Sequence, residues 1–114
     1  MDLEIKEYND WVVISIENRI DSFNHQRITN EVSGVIEDGR KKLALNLERA
    51  QFLSLPTIKY FSKLAETLDK QGGYFALCAP SEKIKRQIAI FASLDGMNIY
   101  RSTEDLYNNR PEKN

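Results

Sequence analysis

The chain has 114 residues, with 16 Lys and Arg against 17 Asp and Glu, one His and a formal net charge of −1. That length fits one domain with one core, and 41% hydrophobic with 29% charged residues excludes wholesale disorder. The near-neutral balance lacks the basic excess by which nucleic acid is recognised, so no nucleic-acid partner is expected.

Leu3 and Ile5 alternate with polar residues and lead to Asn9-Asp10, a turn signal. Trp11 to Ile16 follows, rich in β-branched and aromatic side chains, and an antiparallel hairpin is predicted. The polar Glu17-Asn18-Arg19 reads as a surface loop. Ile28, Val32, Val35 and Ile36 then recur on one helical face, with Asn24 as N-cap and Gly39 as the C-terminal stop. Leu43, Leu45 and Leu47 make Lys42 to Leu47 a strand, and Phe52-Leu53-Ser54 carries the chain on toward a second helix. Pro56 suits the first turn of that helix, whose apolar stripe is Ile58, Phe61, Leu64, Ala65 and Leu68; Gly72-Gly73 ends it.

The apolar run Tyr74 to Ala79 suits a strand covered on both faces. Ser81 caps a third helix with Ile84, Ile88 and Phe91 inward, and Asp95-Gly96 breaks it. Met97 to Tyr100 supplies a last short strand, and Ser102-Thr103-Glu104-Asp105 opens a short fourth helix. Residues 1–108 are read as the domain, and the polar tail 109–114 is expected to fray. Strands alternating with helices after a hairpin require right-handed crossovers. The expected fold is therefore α/β, with a mixed, mostly parallel sheet of four to five strands and about four flanking helices.

Reactive chemistry finds little support. His25, the single histidine, stands in a first helical turn with no nucleophile or orienting partner suggested nearby. Cys78 lies in the predicted central strand, where a thiol acts as a small apolar side chain. Alone it makes no internal disulfide, which fits a reducing interior and a cytoplasmic location. No grouping of His, Cys, Asp and Glu has ligand spacing, so neither metal nor cofactor is expected. Gly72-Gly73 follows a helix and precedes a strand, the reverse of a phosphate-binding loop. The basic clusters Arg40-Lys41-Lys42 and Lys83-Lys85-Arg86 adjoin Glu37, Asp38 and Glu82 and read as solvated surface. No apolar run is long enough for membrane insertion, and Met1-Asp2-Leu3-Glu4 does not resemble a secretory leader. An enzyme is not expected.

One segment stands apart. Gln51 to Ile58 sets Leu55, Pro56 and Thr57 at the open N-terminus of a helix, immediately after extended chain. Amides there attract anions, and Ser54 and Thr57 add hydroxyls; the same two residues serve equally well as an ordinary cap.

The order Trp11 to Asp21, helix, Lys42 to Leu47, then Phe52-Leu53-Ser54-Leu55-Pro56-Thr57-Ile58 resembles a STAS domain, as do Gly72-Gly73 before a strand and Gly96 through Leu106. STAS domains include the bacterial anti-sigma factor antagonists. In those proteins the strand-to-helix junction reads Asp-Ser-Ser/Thr-Gly-Leu, and a partner kinase that is also the anti-sigma factor phosphorylates the first Ser. Without gaps, Ser54 falls on the Asp, Leu55 on the phosphorylated Ser, Pro56 on the next hydroxyl residue and Thr57 on the Gly. Asp21 matches the Asp that ends the earlier strand-loop motif, and Asn46 stands where an Asp is common.

The resemblance implies a non-catalytic protein-interaction module in partner-switching transcription regulation, with a protein partner of the kinase-type anti-sigma class. Leucine accepts no phosphate, so the usual serine phosphorylation is not expected; Ser54 or Thr57 is left as a displaced phosphoacceptor. The expected partner face comprises Asp21, Ser22, Phe23 and Asn24 with Ser54, Leu55, Pro56, Thr57, Lys59, Tyr60 and Lys63. Asp21 and Asn24 would offer polar contacts, and Leu55 and Tyr60 apolar anchors. A small-anion or nucleotide sensor and a structural subunit of a larger complex are the alternatives, and a homodimer stays open.

Overall fold

The computed structural model describes residues 3–91 and 97–112. Strands β1 (Leu3–Tyr8) and β2 (Trp11–Ile16) form the antiparallel hairpin, in register from Leu3 opposite Ile16 to Tyr8 opposite Trp11. Asn9 turns the chain with φ 54°, a left-handed conformation that asparagine tolerates. Strands β3 (Asn18–Ile20), β4 (Lys42–Asn46), β5 (Ala50–Leu53), β6 (Tyr74–Cys78) and β7 (Asn98–Tyr100) alternate with helices α1 (His25–Glu37), α2 (Leu55–Lys70), α3 (Glu82–Phe91) and α4 (Thr103–Tyr107). The main sheet has the order β1-β2-β4-β6-β7, and every pair after the hairpin is parallel.

Side-chain alternation explains the layers. On one face Val12, Ile14 and Ile16 of β2, Leu43 and Leu45 of β4, and Phe75 and Leu77 of β6 meet the apolar stripes of α1, α2 and α3. The expected stripes are there: Ile28 and Val32 of α1, Ile58, Phe61, Leu64, Ala65 and Leu68 of α2, and Ile84 and Ile88 of α3 are buried. Ile14, Leu43 and Leu45 have no exposed surface, and each such side chain contributes about 1.5–3 kcal/mol on burial. The other face is built from smaller residues, Val13, Ala44, Ala76 and Cys78, which let Tyr100 of β7 and Leu106 of the short α4 approach closely. Tyr8 of the first strand stacks on Tyr107 of the last helix, ring centroids 3.9 Å apart.

Four local expectations change. Asn18–Ile20 is a strand, not a loop: it pairs in parallel with β5 as a separate two-stranded sheet, shifting register between Asn18 and Arg19. Its polarity misleads because only Ile20 of the three is buried. Asn24 is not a side-chain cap; its Oδ1 instead accepts from the Asp21 amide, while Asp21 Oδ1 accepts from the amide of Phe23. The segment after Asn108 is not loose as far as residue 112: the Glu112 amide donates to Ile99 at 2.7 Å and its carboxylate holds Lys85 Nζ at 2.9 Å. The basic clusters are partnered as well as solvated, Arg40 by Glu7, Lys42 by Asp10 and Lys85 by Glu112 and Glu82. Caps at Ser81 and Ser102 form as expected, accepting from Ile84 and Asp105. The break at Asp95-Gly96 and the Phe91 side chain lie outside the described residues.

Two glycines test this packing in opposite directions. A Cβ on Gly73 would lie 2.4 Å from the Lys41 carbonyl oxygen, whereas one on Gly34, in the last turn of α1, would meet nothing within 4 Å. In urea denaturation, Gly73→Ala should lower stability by about 1–3 kcal/mol, and Gly34→Ala should raise it by about 0.5–1 kcal/mol. The thiol of Cys78 offers a third check, since burial pushes its pKa up to about 12 from an ordinary 9.0. The fold accommodates only the protonated thiol, so its contribution is complete below about pH 9 and declines as pH rises toward 12. Thiol-specific labelling at pH 8 should be negligible in the folded chain and rapid in denaturant.

Candidate functional site

The small β3–β5 sheet is what creates the site. Because the two strands run parallel and each leads into a helix, the first turns of α1 and α2 emerge side by side. The Ser54 amide donates to the Ile20 carbonyl at 2.9 Å and ties the two exits together. Between β3 and α1 the turn is self-braced: Asp21 Oδ1 accepts from Phe23, Asn24 Oδ1 accepts from Asp21, and Asn24 Nδ2 donates to the Arg19 carbonyl at 2.7 Å. This bracing holds Phe23 outward with 95% of its surface exposed. An exposed phenyl ring on a fixed turn is a common mark of a contact surface.

At the start of α2, Ser54 has extended backbone (φ −68°, ψ 156°), and Pro56 in the first turn removes one amide from the helix end. Leu55 and Ser54 are half-buried, Pro56 is exposed, and Thr57 has no exposed surface. The hydroxyls do not cap the helix. Ser54 Oγ lies 2.9 Å from Thr57 Oγ1, which lies 2.7 Å from Nδ1 of His25 on α1. A second bridge stands farther along the helices, where the Tyr60 hydroxyl meets Ser33 Oγ at 2.6 Å and donates to the Thr29 carbonyl.

These contacts sort the residues singled out from sequence. Asp21, Ser22, Phe23, Asn24, Ser54, Leu55 and Pro56 gather at one end of the molecule, and Lys59 and Lys63 are exposed along α2. Thr57 is wholly buried, which removes it from any contact face and from reach of a modifying enzyme in this conformation. Tyr60 also departs from its expected role as an outward anchor: its hydroxyl is engaged by α1 and its ring packs against the core. His25, read from the sequence as an unreactive first-turn histidine, has a partner that the sequence did not reveal. Its partner lies 32 positions away, and only recognition of β3 as a strand would have placed the two first turns together.

Other features hold less promise as a reaction centre. A cleft of about 560 Å3 opens at the starting ends of the strands, lined by Asp10, Trp11, Lys42, Tyr74, Tyr100 and Tyr107 among others. Its Lys42 is held by Asp10 at 2.8 Å and lies over the rings of Tyr74 and Trp11. The Asp10 hydrogen bond raises the Lys42 pKa and lowers that of Asp10, so both stay charged rather than poised for proton transfer. Among the described residues no group of three or more His, Cys, Asp or Glu is placed to hold a metal, and no helix is long and apolar enough to cross a membrane.

The Tyr60 bridge can be weighed directly. Tyr60→Phe should lower stability by about 1 kcal/mol by leaving Ser33 without its partner, measured by urea denaturation, while leaving the far-ultraviolet spectrum unchanged.

Comparison with known proteins agrees with this architecture. No curated protein matches the chain in sequence. Among solved structures, a candidate anti-sigma factor antagonist from Thermotoga maritima superposes with TM-score 0.84 at 20% identity, over 94% of this chain and 92% of that one. An anti-sigma factor antagonist from Mycobacterium paratuberculosis gives TM-score 0.82 at 20% identity, over 94% and 91%. The phosphorylated form of the Bacillus cell fate determinant SpoIIAA gives 0.74 at 18% identity, over 95% and 99%. At these identities the likeness establishes the fold. The family model for the STAS domain matches residues 2–106, and the chain belongs to the STAS domain family.

Proposed function

We propose that this STAS domain is a non-catalytic docking module that works like an anti-sigma factor antagonist, binding a kinase-type anti-sigma factor in partner-switching regulation of transcription. The observation that carries the reading is the pairing of a 95% exposed Phe23 with the half-buried Leu55 and exposed Pro56 on two braced helix exits. Apolar side chains held on rigid turns lose little entropy on binding, so such a patch favours protein contact. The neighbouring folds include anti-sigma factor antagonists, which supports the choice of partner class.

The junction also argues for docking without the usual phosphate switch. On the ungapped match to the antagonists' junction, Leu55 falls where they carry the phosphorylated serine, and it has no acceptor oxygen. A phosphate there would add nearly two negative charges to the interface and drive the partner away. With leucine the same position contributes apolar contact, and the interaction stays on unless regulated elsewhere. The burial of Thr57 argues against it as a displaced acceptor and favours the half-buried Ser54. An anion or nucleotide sensor is the weaker reading, because Pro56 removes an amide and the Ser54 and Thr57 hydroxyls are paired with each other. The cytoplasm is the proposed location, where such partners operate.

The test is binding of the purified chain to each kinase-type anti-sigma factor of its source organism, with and without ATP. A stable complex is expected with at least one of them, weakened about tenfold or more by Phe23→Asp or Leu55→Asp. Mass spectrometry after incubation with ATP should find no phosphate at position 55. Failure to bind any of these proteins, or binding indifferent to both substitutions, overturns the reading.

A further inference from the structure

We propose that His25, acting through Thr57, sets the direction in which the Ser54 hydroxyl is polarised, and so selects the kind of partner group that docks there. The inference deepens the docking reading and rests on it for its biological meaning. Its physical basis is a chain of three polar atoms that crosses from α1 to the junction of α2: His25 Nδ1, Thr57 Oγ1 at 2.7 Å, and Ser54 Oγ a further 2.9 Å on.

The middle member decides what the ends do. Thr57 has no exposed surface and one hydroxyl proton, which it gives to one neighbour while it accepts from the other. When the imidazole is neutral with its proton on Nε2, Thr57 donates to Nδ1. Ser54 must then donate to Thr57, and its free lone pairs turn outward. When Nδ1 carries a proton, as it does in the imidazolium, the order reverses: His25 donates to Thr57, Thr57 donates to Ser54, and Ser54 directs its own O–H outward. The order in which Thr57 accepts from both neighbours would leave its own buried proton without an acceptor among the three groups, which favours a switch of all three together.

Ser54 is half-buried and lies on the proposed contact face beside Leu55. With neutral His25 the serine offers an acceptor, suited to an arginine or amide N–H of the partner. With charged His25 it offers a donor, suited to a carboxylate. The specificity of the junction is thereby tied to a proton on a residue that the partner need not touch. The charged side chains on the surrounding elements are Arg19 of β3, Asp21 of the turn, Arg27, Glu31 and Glu37 of α1, and Lys59, Lys63, Glu66, Asp69 and Lys70 of α2. None is a histidine, the side chain that ordinarily changes charge between about pH 5 and 8, and the chain has only one.

Nuclear magnetic resonance of the isotopically labelled full chain tests the relay without any partner. Ring-nitrogen shifts of His25 should place the proton on Nε2 at the alkaline end of the titration. Side-chain and amide resonances of Ser54 should then move with the same midpoint as the imidazole. In Thr57→Val, His25 should still titrate, while the Ser54 response falls about fivefold or more with the relay cut; Thr57→Ser should restore it. A Ser54 signal indifferent to His25, an undiminished response in Thr57→Val, or a neutral imidazole protonated at Nδ1 overturns the proposal. Should Thr57→Val not fold, the titration and tautomer of the unaltered chain decide. Because no partner enters, failure here leaves the docking reading standing, and failure of docking leaves this result untouched.

Discussion

The hydrogen bond from the Ser54 amide to the Ile20 carbonyl is the constraint on which the candidate site depends. It closes the small parallel sheet of β3 and β5, and that sheet fixes where two helices begin. Everything notable at this end follows from the shared origin: the braced turn that displays Phe23, the placement of Leu55, and the reach of His25 to Thr57. Neither strand exceeds four residues, and such a short pair has little stability alone. Ile20 and Leu53, both buried in the main core, hold it in place.

Two kinds of surface meet there. Phe23, Leu55 and Pro56 supply apolar contact, whereas Ser54, Thr57 and His25 supply a polar line that is mostly internal. The buried side-chain N and O atoms of the described residues all have partners, which is consistent with a preformed surface rather than one awaiting a ligand to satisfy it. Leu55 and Pro56 give the junction apolar contact beside the short hydrogen bonds that join Ser54, Thr57 and His25.

Much of the architecture was legible in the residues. The alternation of Leu43 and Leu45, the stripe from Ile58 to Leu68, and the doubly covered run at Phe75 to Cys78 give strand, helix and strand directly, because each pattern reports which faces meet the core. What stayed hidden depended on a third dimension. Asn18-Arg19-Ile20 reads as loop because two of its side chains are exposed, and its strand character comes from backbone pairing with β5. The burial of Thr57 and the inward hydroxyl of Tyr60 were equally illegible, since both answer to partners on α1 about 30 positions away. Of the residues expected on a partner face, Asp21 to Asn24 and Ser54 to Pro56 lie together at one end, whereas Thr57 and Tyr60 use their polar atoms internally.

The stacked rings of Tyr8 and Tyr107 join the first strand to the last helix. A chain emerging from the ribosome can assemble the three-helix side of its sheet early, from elements that adjoin in sequence. The opposite side must wait for β7 and α4, and until they arrive Ala44, Ala76 and Cys78 lie uncovered. Their small side chains present little apolar area, so this late-closing side gives aggregation less to seize during synthesis than a leucine-lined one would.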